Sequence, residues 1–228
     1  MIFAFSKMFK FILLLCFGMI WATNGEISNV VIDLSHWNNV NFTKAKADGI
    51  VAVVHKATQG ARGVDETYAT RRILAENEGL LWGAYHFGTK GTPVKQADHF
   101  LATVGDTKGV LLMLDVEENK GKEMSPSEAE EFVKRIKEKT GRYPIIYGNR
   151  YFLRPYHLEN LNECPLWISH YTSASQPTLP SQRSSWTLWQ YTDGKLGGSP
   201  KTVNGIGPCD RDRYNGSIQQ LKNRWPNL

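Results

Sequence analysis

The segment GVLLMLDVEEN, residues 109–119, runs from a stretch of apolar side chains directly into three carboxylates. An apolar run of this length is typical of a strand that is buried on both faces of a parallel sheet. Carboxylates crowded at the end of a buried strand are costly, because like charges repel strongly where the dielectric constant is low. The segment therefore indicates either a solvated acidic loop or a site that uses these carboxylates.

Other apolar runs on both sides of this segment predict seven further strands. They are VVIDL (30–34), IVAVVHK (50–56), LLWGAYHF (80–87), YPIIYG (143–148), PLWISHY (165–171), WTLWQY (186–191) and a short strand at 209–214. Amphipathic segments at 67–78, 94–104 and 125–141 predict helices between the early strands. Eight strands, of which the first five alternate with helices, predict an α/β fold, an irregular TIM-like barrel with a parallel sheet.

The later connections of the predicted barrel differ from the earlier ones. Residues 172–185 and 192–208 are rich in Ser, Pro and Gly and have no helical period. We therefore expect the outer helices to be missing in the C-terminal half of the barrel.

The N-terminal residues predict export. Lys7 and Lys10 precede the apolar run FILLLCFGMIWA (11–22), and Ala22 offers a small residue for cleavage. Ile20 fits the cleavage rule poorly, so residues 1–22 are either a signal peptide or a membrane anchor. We expect one folded domain over residues 27–228, because 41% hydrophobic content supplies the core of a single domain. The protein would be secreted or periplasmic, or tethered to the membrane by an uncleaved N-terminal segment.

Charge and cysteine content limit the partners. Cleavage would remove two lysines and no acid, which lowers the formal net charge from +5 to +3. No basic run indicates nucleic-acid binding, and no Cys/His spacing indicates a metal site or another cofactor. Export permits a disulfide between Cys164 and Cys209, and two free thiols are the alternative. We expect a monomer.

Acidic side chains lie at the carboxyl ends of several predicted strands, where barrels of this kind carry their active sites. Asp33 ends the first strand, and Asp115 and Glu117 end the fourth. Residues i and i+2 of a strand point to the same side, so Asp115 and Glu117 share one pocket while Glu118 points away. Two carboxylates in one pocket separate their pKa values, as glycoside hydrolysis requires.

Aromatic side chains accompany the acids. Their faces can stack on sugar rings, although core packing is the alternative for each of them taken singly, and especially for Trp167. The candidates for binding substrate are Trp37, Tyr85, Tyr147, Trp167, Tyr171 and Trp189.

An ordered set of segments resembles the glycoside hydrolase family 25 lysozymes, the Chalaropsis-type N-acetylmuramidases. The segments are VIDLSHWNNVNF (31–42), VHKATQG (54–60), GAYHF (83–87), LDVE (114–117), PIIYGN (144–149), PLWISHY (165–171), LWQYTDG (188–194) and CDRDRYNG (209–216). The resemblance implies a catalytic domain over residues 27–228 that hydrolyses the β-1,4 bond between N-acetylmuramic acid and N-acetylglucosamine in peptidoglycan glycan strands.

The resemblance also implies roles for individual residues. Glu117 would be the general acid/base, and Asp115 would orient or stabilise the 2-acetamido group of the substrate. Asp33 and Asp210 match the aspartates of the first strand and of the closing segment, and Tyr147 matches a pocket tyrosine. The closing segment departs from the family pattern, because Asp212 stands where an asparagine is common.

The sequence departs from the family pattern at three further positions, and it leaves two alternative functions open. Gln59 replaces a glutamate that many members carry, and Arg211 and Arg213 replace apolar residues. The alternative functions are a wall-binding module without catalysis and a related hydrolase acting on a chitin-like polysaccharide. The full acid set favours catalysis, because a binding module has no need to crowd charges.

Overall fold

The computed structural model describes residues 25–157 and 159–228. The predicted signal peptide or anchor at residues 1–22 lies outside the described residues. Within the part that is described, no helix is both long and apolar enough to cross a membrane.

Eight strands form a closed barrel, as the sequence predicts. In chain order they are β1 (Ser28–Leu34), β2 (Ala52–Gln59), β4 (Leu81–Phe87), β5 (Val110–Asp115), β6 (Ile145–Asn149), β7 (Leu166–Ser169), β8 (Leu188–Thr192) and β11 (Asp210–Tyr214). The order around the barrel is β1-β11-β8-β7-β6-β5-β4-β2, and pairing between β1 and β2 closes it. The short strand β3 (Gly63–Val64) pairs with β2, whereas β9 (Thr202–Val203) and β10 (Gly207–Pro208) form a separate ribbon.

The expectation of an entirely parallel sheet is wrong for the last strand. β11 is antiparallel to both of its neighbours, β1 and β8, whereas the other barrel pairs are parallel. A parallel return needs a long crossover connection, usually a helix. The connection from β8 to β11 contains only the β9–β10 ribbon, so the chain comes back in the opposite direction.

In the described part of the chain, five helices lie between β1 and β7, and a sixth follows the last strand. They are α1 (Phe42–Ala47), α2 (Tyr68–Asn77), α3 (Pro93–Val104), α4 (Pro126–Thr140), α5 (Glu159–Glu163) and α6 (Ile218–Arg224). The three helices expected at 67–78, 94–104 and 125–141 are present, and the connections 172–185 and 192–208 contain none, as expected. α4 begins with the capping box of Ser125 and Glu128 and ends at Gly141, whose φ of 73° suits glycine.

Two apolar cores lie on the two faces of the barrel wall. The outer core packs the helices against the strands, with Phe100 and Phe132 among its largest side chains. The inner core fills the barrel and extends to Leu221 and Leu228 of the C-terminal segment. Trp225 donates its indole N–H to the backbone oxygens of Trp82 and Gly109, so the C-terminal segment closes the end of the barrel opposite the acids.

The two cysteines of the described residues are free thiols. Cys164 and Cys209 are both buried, and the structure contains no bond between them. Of the two alternatives that the sequence left open, the structure thus has the free thiols. Burial raises the pKa of each thiol to about 12, which makes both poor nucleophiles.

Candidate active site

A cavity of about 160 Å³ opens at the carboxyl ends of the barrel strands. Eight of the ten candidate residues from the sequence line it. The lining consists of Asp33, Tyr85, Met113, Asp115, Glu117, Tyr147, Trp167, Tyr171, Gln190 and Asp210. We call this cavity the acidic pocket. The convergence follows from topology, because the carboxyl ends of the parallel strands meet at one end of the barrel and the antiparallel β11 begins at that same end with Asp210.

Asp115 and Glu117 point into the acidic pocket, as the i, i+2 spacing predicts. β5 ends at Asp115, two residues earlier than expected, yet Val116 continues the alternation and is buried in the outer core. The backbone at this point is fixed, since the amide of Gly88 donates to Asp115 O (2.9 Å) and the amide of Val116 donates to Tyr147 O (3.0 Å). Glu118 is exposed.

Burial is the main influence on the protonation of this pair. Burial, followed by the charges of Glu117 and Asp33, raises the pKa of Asp115 well above its usual range. Burial also raises the pKa of Glu117, while the ammonium group of Lys56 acts in the opposite direction on both acids. The pair can therefore hold a proton near neutral pH, which is the condition for one acid and one carboxylate in the same pocket.

The other acids come from the first and last strands. Burial and then the neighbouring Asp212 raise the pKa of Asp33 well above its usual range. Burial and then Asp33 raise the pKa of Asp210 to about 8. Asp210 lines the acidic pocket, whereas its sequence rival Asp212 lies fully buried beneath it. The pocket therefore takes its last-strand acid from Asp210.

Gln190 connects several walls of the acidic pocket. Its Oε1 accepts hydrogen bonds from the hydroxyls of Tyr147 (2.7 Å) and Tyr171 (2.8 Å), and its Nε2 donates to Asp33 Oδ2 (2.8 Å). Its side chain is 3% exposed, so these partners replace water. Gln190 is not among the site residues predicted from the sequence. A polar amide inside the apolar strand LWQYT was the only available signal.

We expect Gln190→Leu to destabilise the protein. The change leaves Asp33 and the Tyr147 hydroxyl buried without their partner, and each such group costs about 1–3 kcal/mol. Chemical denaturation would measure the loss in the free energy of unfolding. Gln219→Leu, the same substitution at an exposed helical position, is the matched control. A Gln190→Leu variant as stable as the wild type would contradict the connecting role.

Most of the candidate aromatic residues lie where the sequence predicts. Tyr85, Tyr147, Trp167 and Tyr171 line the acidic pocket. Trp37 lies outside it and is 85% exposed, with its ring 4.4 Å from that of His36 between centroids.

The expectation that Trp189 lines the site is wrong. Along β8, Leu188 belongs to the inner core and Gln190 to the acidic pocket, so Trp189 between them faces outward. It is fully buried in the outer core and donates its indole N–H to His170 O (2.8 Å).

A second cavity, of about 510 Å³, is lined by Lys56, whose charge acts on both Asp115 and Glu117 of the acidic pocket. The ammonium of Lys56 donates to Gln59 Oε1 (2.6 Å) and lies 5.0 Å from the centre of the Phe87 ring. We call this second cavity the side cavity.

His36 and Asp65 form one wall of the side cavity, and Asp65 bonds both the backbone amide and the ring of His36. Among the described residues, no group of three or more His, Cys, Asp or Glu side chains is placed to hold a metal ion.

A closed α/β barrel with paired carboxylates at its carboxyl mouth has the architecture of a barrel glycoside hydrolase. The model of the glycosyl hydrolases family 25 matches residues 32–198, and the chain belongs to that family.

Individual relatives agree with this assignment. Lysozyme M1 of Streptomyces globisporus is 30% identical over 217 residues, covering 83% of this chain and 69% of that protein. An N,O-diacetylmuramidase of Arthroderma benhamiae is 31% identical over 184 residues, covering 73% of this chain and 78% of that protein. The crystal structure of a lysozyme from Streptomyces coelicolor aligns with a TM-score of 0.74 at 29% identity, covering 88% of this chain and 98% of that one. The structure of a family GH25 lysozyme from Aspergillus fumigatus aligns with a TM-score of 0.72 at 31% identity, covering 87% of this chain and 98% of that one.

Proposed function

We propose that this protein is an exported N-acetylmuramidase, a lysozyme that hydrolyses the β-1,4 bond between N-acetylmuramic acid and N-acetylglucosamine in peptidoglycan. The observation that carries the proposal is the pair of Asp115 and Glu117 in one pocket, both with pKa values raised by burial. Membership of family 25 and the names of the relatives support the same activity.

Glu117 is the proposed general acid. It is half-buried at the mouth of the acidic pocket, so it can reach both the substrate and water. Its carboxylic acid donates a proton to the glycosidic oxygen as the bond to the anomeric carbon breaks. The resulting carboxylate then takes a proton from the water molecule that completes hydrolysis.

Asp115 is the proposed carboxylate at the anomeric centre. It is more deeply buried than Glu117, at 6% exposure. Its negative charge stabilises the positive charge that develops on the sugar, directly or by orienting the 2-acetamido group. Asp33 and Asp210 are proposed to complete the acid set that contacts the sugar in the cleaved position.

The proposed glycan path extends from the acidic pocket into the side cavity. Tyr85, Tyr147 and Tyr171 contact the sugar at the cleavage point, and the indole of Trp167 forms the pocket wall below it. Trp37 is proposed as a stacking surface for a more distant sugar, because its neighbour His36 lines the side cavity. The enzyme acts on glycan strands as a monomer, and residues 1–22 direct its export.

Purified peptidoglycan provides the test of the proposed activity. We expect new reducing ends to appear and, after borohydride reduction and acid hydrolysis, muramitol to be the reduced sugar. Glucosaminitol would instead identify a glucosaminidase. Hydrolysis of chitin oligosaccharides with no reaction on peptidoglycan would favour the chitin-like alternative, and binding to peptidoglycan without new reducing ends would favour the binding module.

Lys56 provides a prediction about pH. Activity requires a protonated Glu117 and an ionised Asp115, so kcat/KM should follow a bell whose two limbs belong to the coupled pair. The Lys56 ammonium lowers the pKa of both acids. Lys56→Met removes this charge, both pKa values rise, and we expect the whole bell to move to higher pH. The measurement is kcat/KM against pH on a soluble muropeptide, with the exposed Lys108→Met as control. A bell that stays in place or moves to lower pH would rule out the electrostatic role of Lys56.

A further inference from the structure

Asp212 is a fully buried carboxyl that does not reach the acidic pocket. On β11 its Cα pairs with Val31 and Gln190, whereas Asp210 pairs with Asp33 nearer the mouth of the barrel. Its side chain is 0% exposed. The indole N–H of Trp167 donates to Asp212 Oδ1 (2.8 Å), and Asp212 Oδ2 has no donor among the described residues.

Because Asp212 pairs with Val31 and Asp210 pairs with Asp33, Asp33 and Asp212 are diagonal neighbours on the inner face of β1 and β11, and their carboxyl groups act on each other's protonation. The amide of Gln190 already donates to Asp33 Oδ2. Two ionised carboxylates have only acceptor oxygens, so a hydrogen bond between them needs a proton on one of them. Burial favours that proton, because two adjacent charges without water cannot both remain ionised.

The charged groups around this pair do not replace the proton. Arg211 is next to Asp212 in sequence, but its guanidinium lies on the outer face and donates to Thr202 O (2.6 Å) and Asn29 Oδ1 (3.4 Å). The remaining titratable groups whose charges act on one or both members of the pair are acids, thiols or phenols: Asp210, Asp115, Glu117, Tyr85, Tyr147, Tyr171, Tyr191 and Cys209.

We propose that Asp212 is a positioning residue that shares one proton with Asp33 and thereby holds Asp33 at the floor of the acidic pocket. The pair then carries one negative charge instead of two, which limits repulsion toward Asp115. Only the consequence for catalysis rests on the proposed function; the shared proton itself does not. An asparagine at position 212 would also bond Asp33, but through an amide N–H and without a titrating proton.

A double-mutant cycle on proton release tests the shared proton without using activity. The quantity is the number of protons released on unfolding at pH 7, obtained from the slope of the unfolding free energy against pH. We expect Asp212→Asn and Asp33→Asn each to release one proton fewer than the wild type, and the double variant also to release only one fewer. Both substitutions preserve the shape of the side chain, and Asp212→Asn keeps an oxygen for the Trp167 indole. Glu118→Gln should leave the number unchanged.

Two results would overturn the shared proton. A double variant that releases two protons fewer would mean that each acid holds its own proton, and a double variant identical to the wild type would mean that neither holds one. Carboxyl ¹³C shifts of Asp33 and Asp212 in the wild-type chain provide a second measurement if a variant does not fold. We expect the two resonances to titrate together in two steps, and independent single-step titrations would contradict the pair.

Turnover of peptidoglycan then tests the positioning role. Asp212→Leu removes the bond to Asp33, and we expect kcat/KM to fall roughly 10–100-fold through misplacement of Asp33. We expect Asp212→Asn to keep most of the wild-type kcat/KM that Asp212→Leu loses. Its profile of kcat/KM against pH should lack the part that depends on the shared proton. An active Asp212→Leu enzyme would overturn the positioning role, whereas a wild type that releases no reducing ends would overturn the proposed function and leave the proton count intact.

Discussion

Glu117→Gln should abolish peptidoglycan hydrolysis while the protein stays folded. Glutamine has the shape of glutamic acid but no dissociable proton, and general acid catalysis contributes roughly 10²–10⁴-fold to the rate. The side chain is half-buried and its backbone is fixed by the preceding strand, so the substitution disturbs no packing. Initial rates of reducing-end release and a thermal unfolding curve would measure the two properties on the same preparation.

Glu118→Gln is the matched control for this experiment. It makes the same chemical change one residue further along, on a side chain that is exposed outside the acidic pocket. We expect it to retain wild-type activity. If Glu118→Gln were inactive and Glu117→Gln active, the assignment of the general acid would have to move by one residue.

The convergence of Asp33, Asp115 and Glu117 could be predicted from the sequence. Each of these acids follows an apolar run that is recognisable as a strand, and the ends of neighbouring parallel strands must meet. The acid of the last strand was harder to place, because two candidates two residues apart face the same side of β11. The depth of each along the barrel, which only strand register determines, separates Asp210 at the mouth from Asp212 beneath it.

Trp189 and Gln190 show what the sequence could not supply. Aromatic character at a predicted strand end suggested that Trp189 binds substrate, but a shift of one residue in a strand reverses the face. Both faces of the barrel wall are buried, so hydrophobicity does not distinguish the inner face from the outer face along LWQYT. Gln190 carries no charge and belongs to no local motif, and its role arises only from partners on other strands.

Asp115→Asn should remove most of the activity and at the same time stabilise the protein at neutral pH. The substitution keeps the shape of the side chain but removes the negative charge opposite the developing positive charge. Loss of one such preorganised electrostatic group costs about 10²–10³-fold in kcat. We expect the loss in kcat, with a smaller change in KM, because the charge on the sugar develops only in the transition state.

The gain in stability follows from the raised pKa of Asp115. Burial and the neighbouring acids make its ionised form unfavourable in the folded state, and no hydrogen-bond partner among the described residues compensates its Oδ1. A carboxyl whose folded-state pKa is raised destabilises the protein progressively as the pH rises above its unfolded-state pKa of about 3.9. Asparagine has no such dependence, so the stability advantage of Asp115→Asn should be largest at neutral pH and disappear as the pH falls toward about 4.

Denaturant unfolding across this pH range, with the exposed Glu131→Gln as control, would measure this stability advantage. An Asp115→Asn variant that is less stable than the wild type at pH 7 would show that the buried carboxylate is not a cost to the fold. A fully active variant would show that hydrolysis does not need its charge.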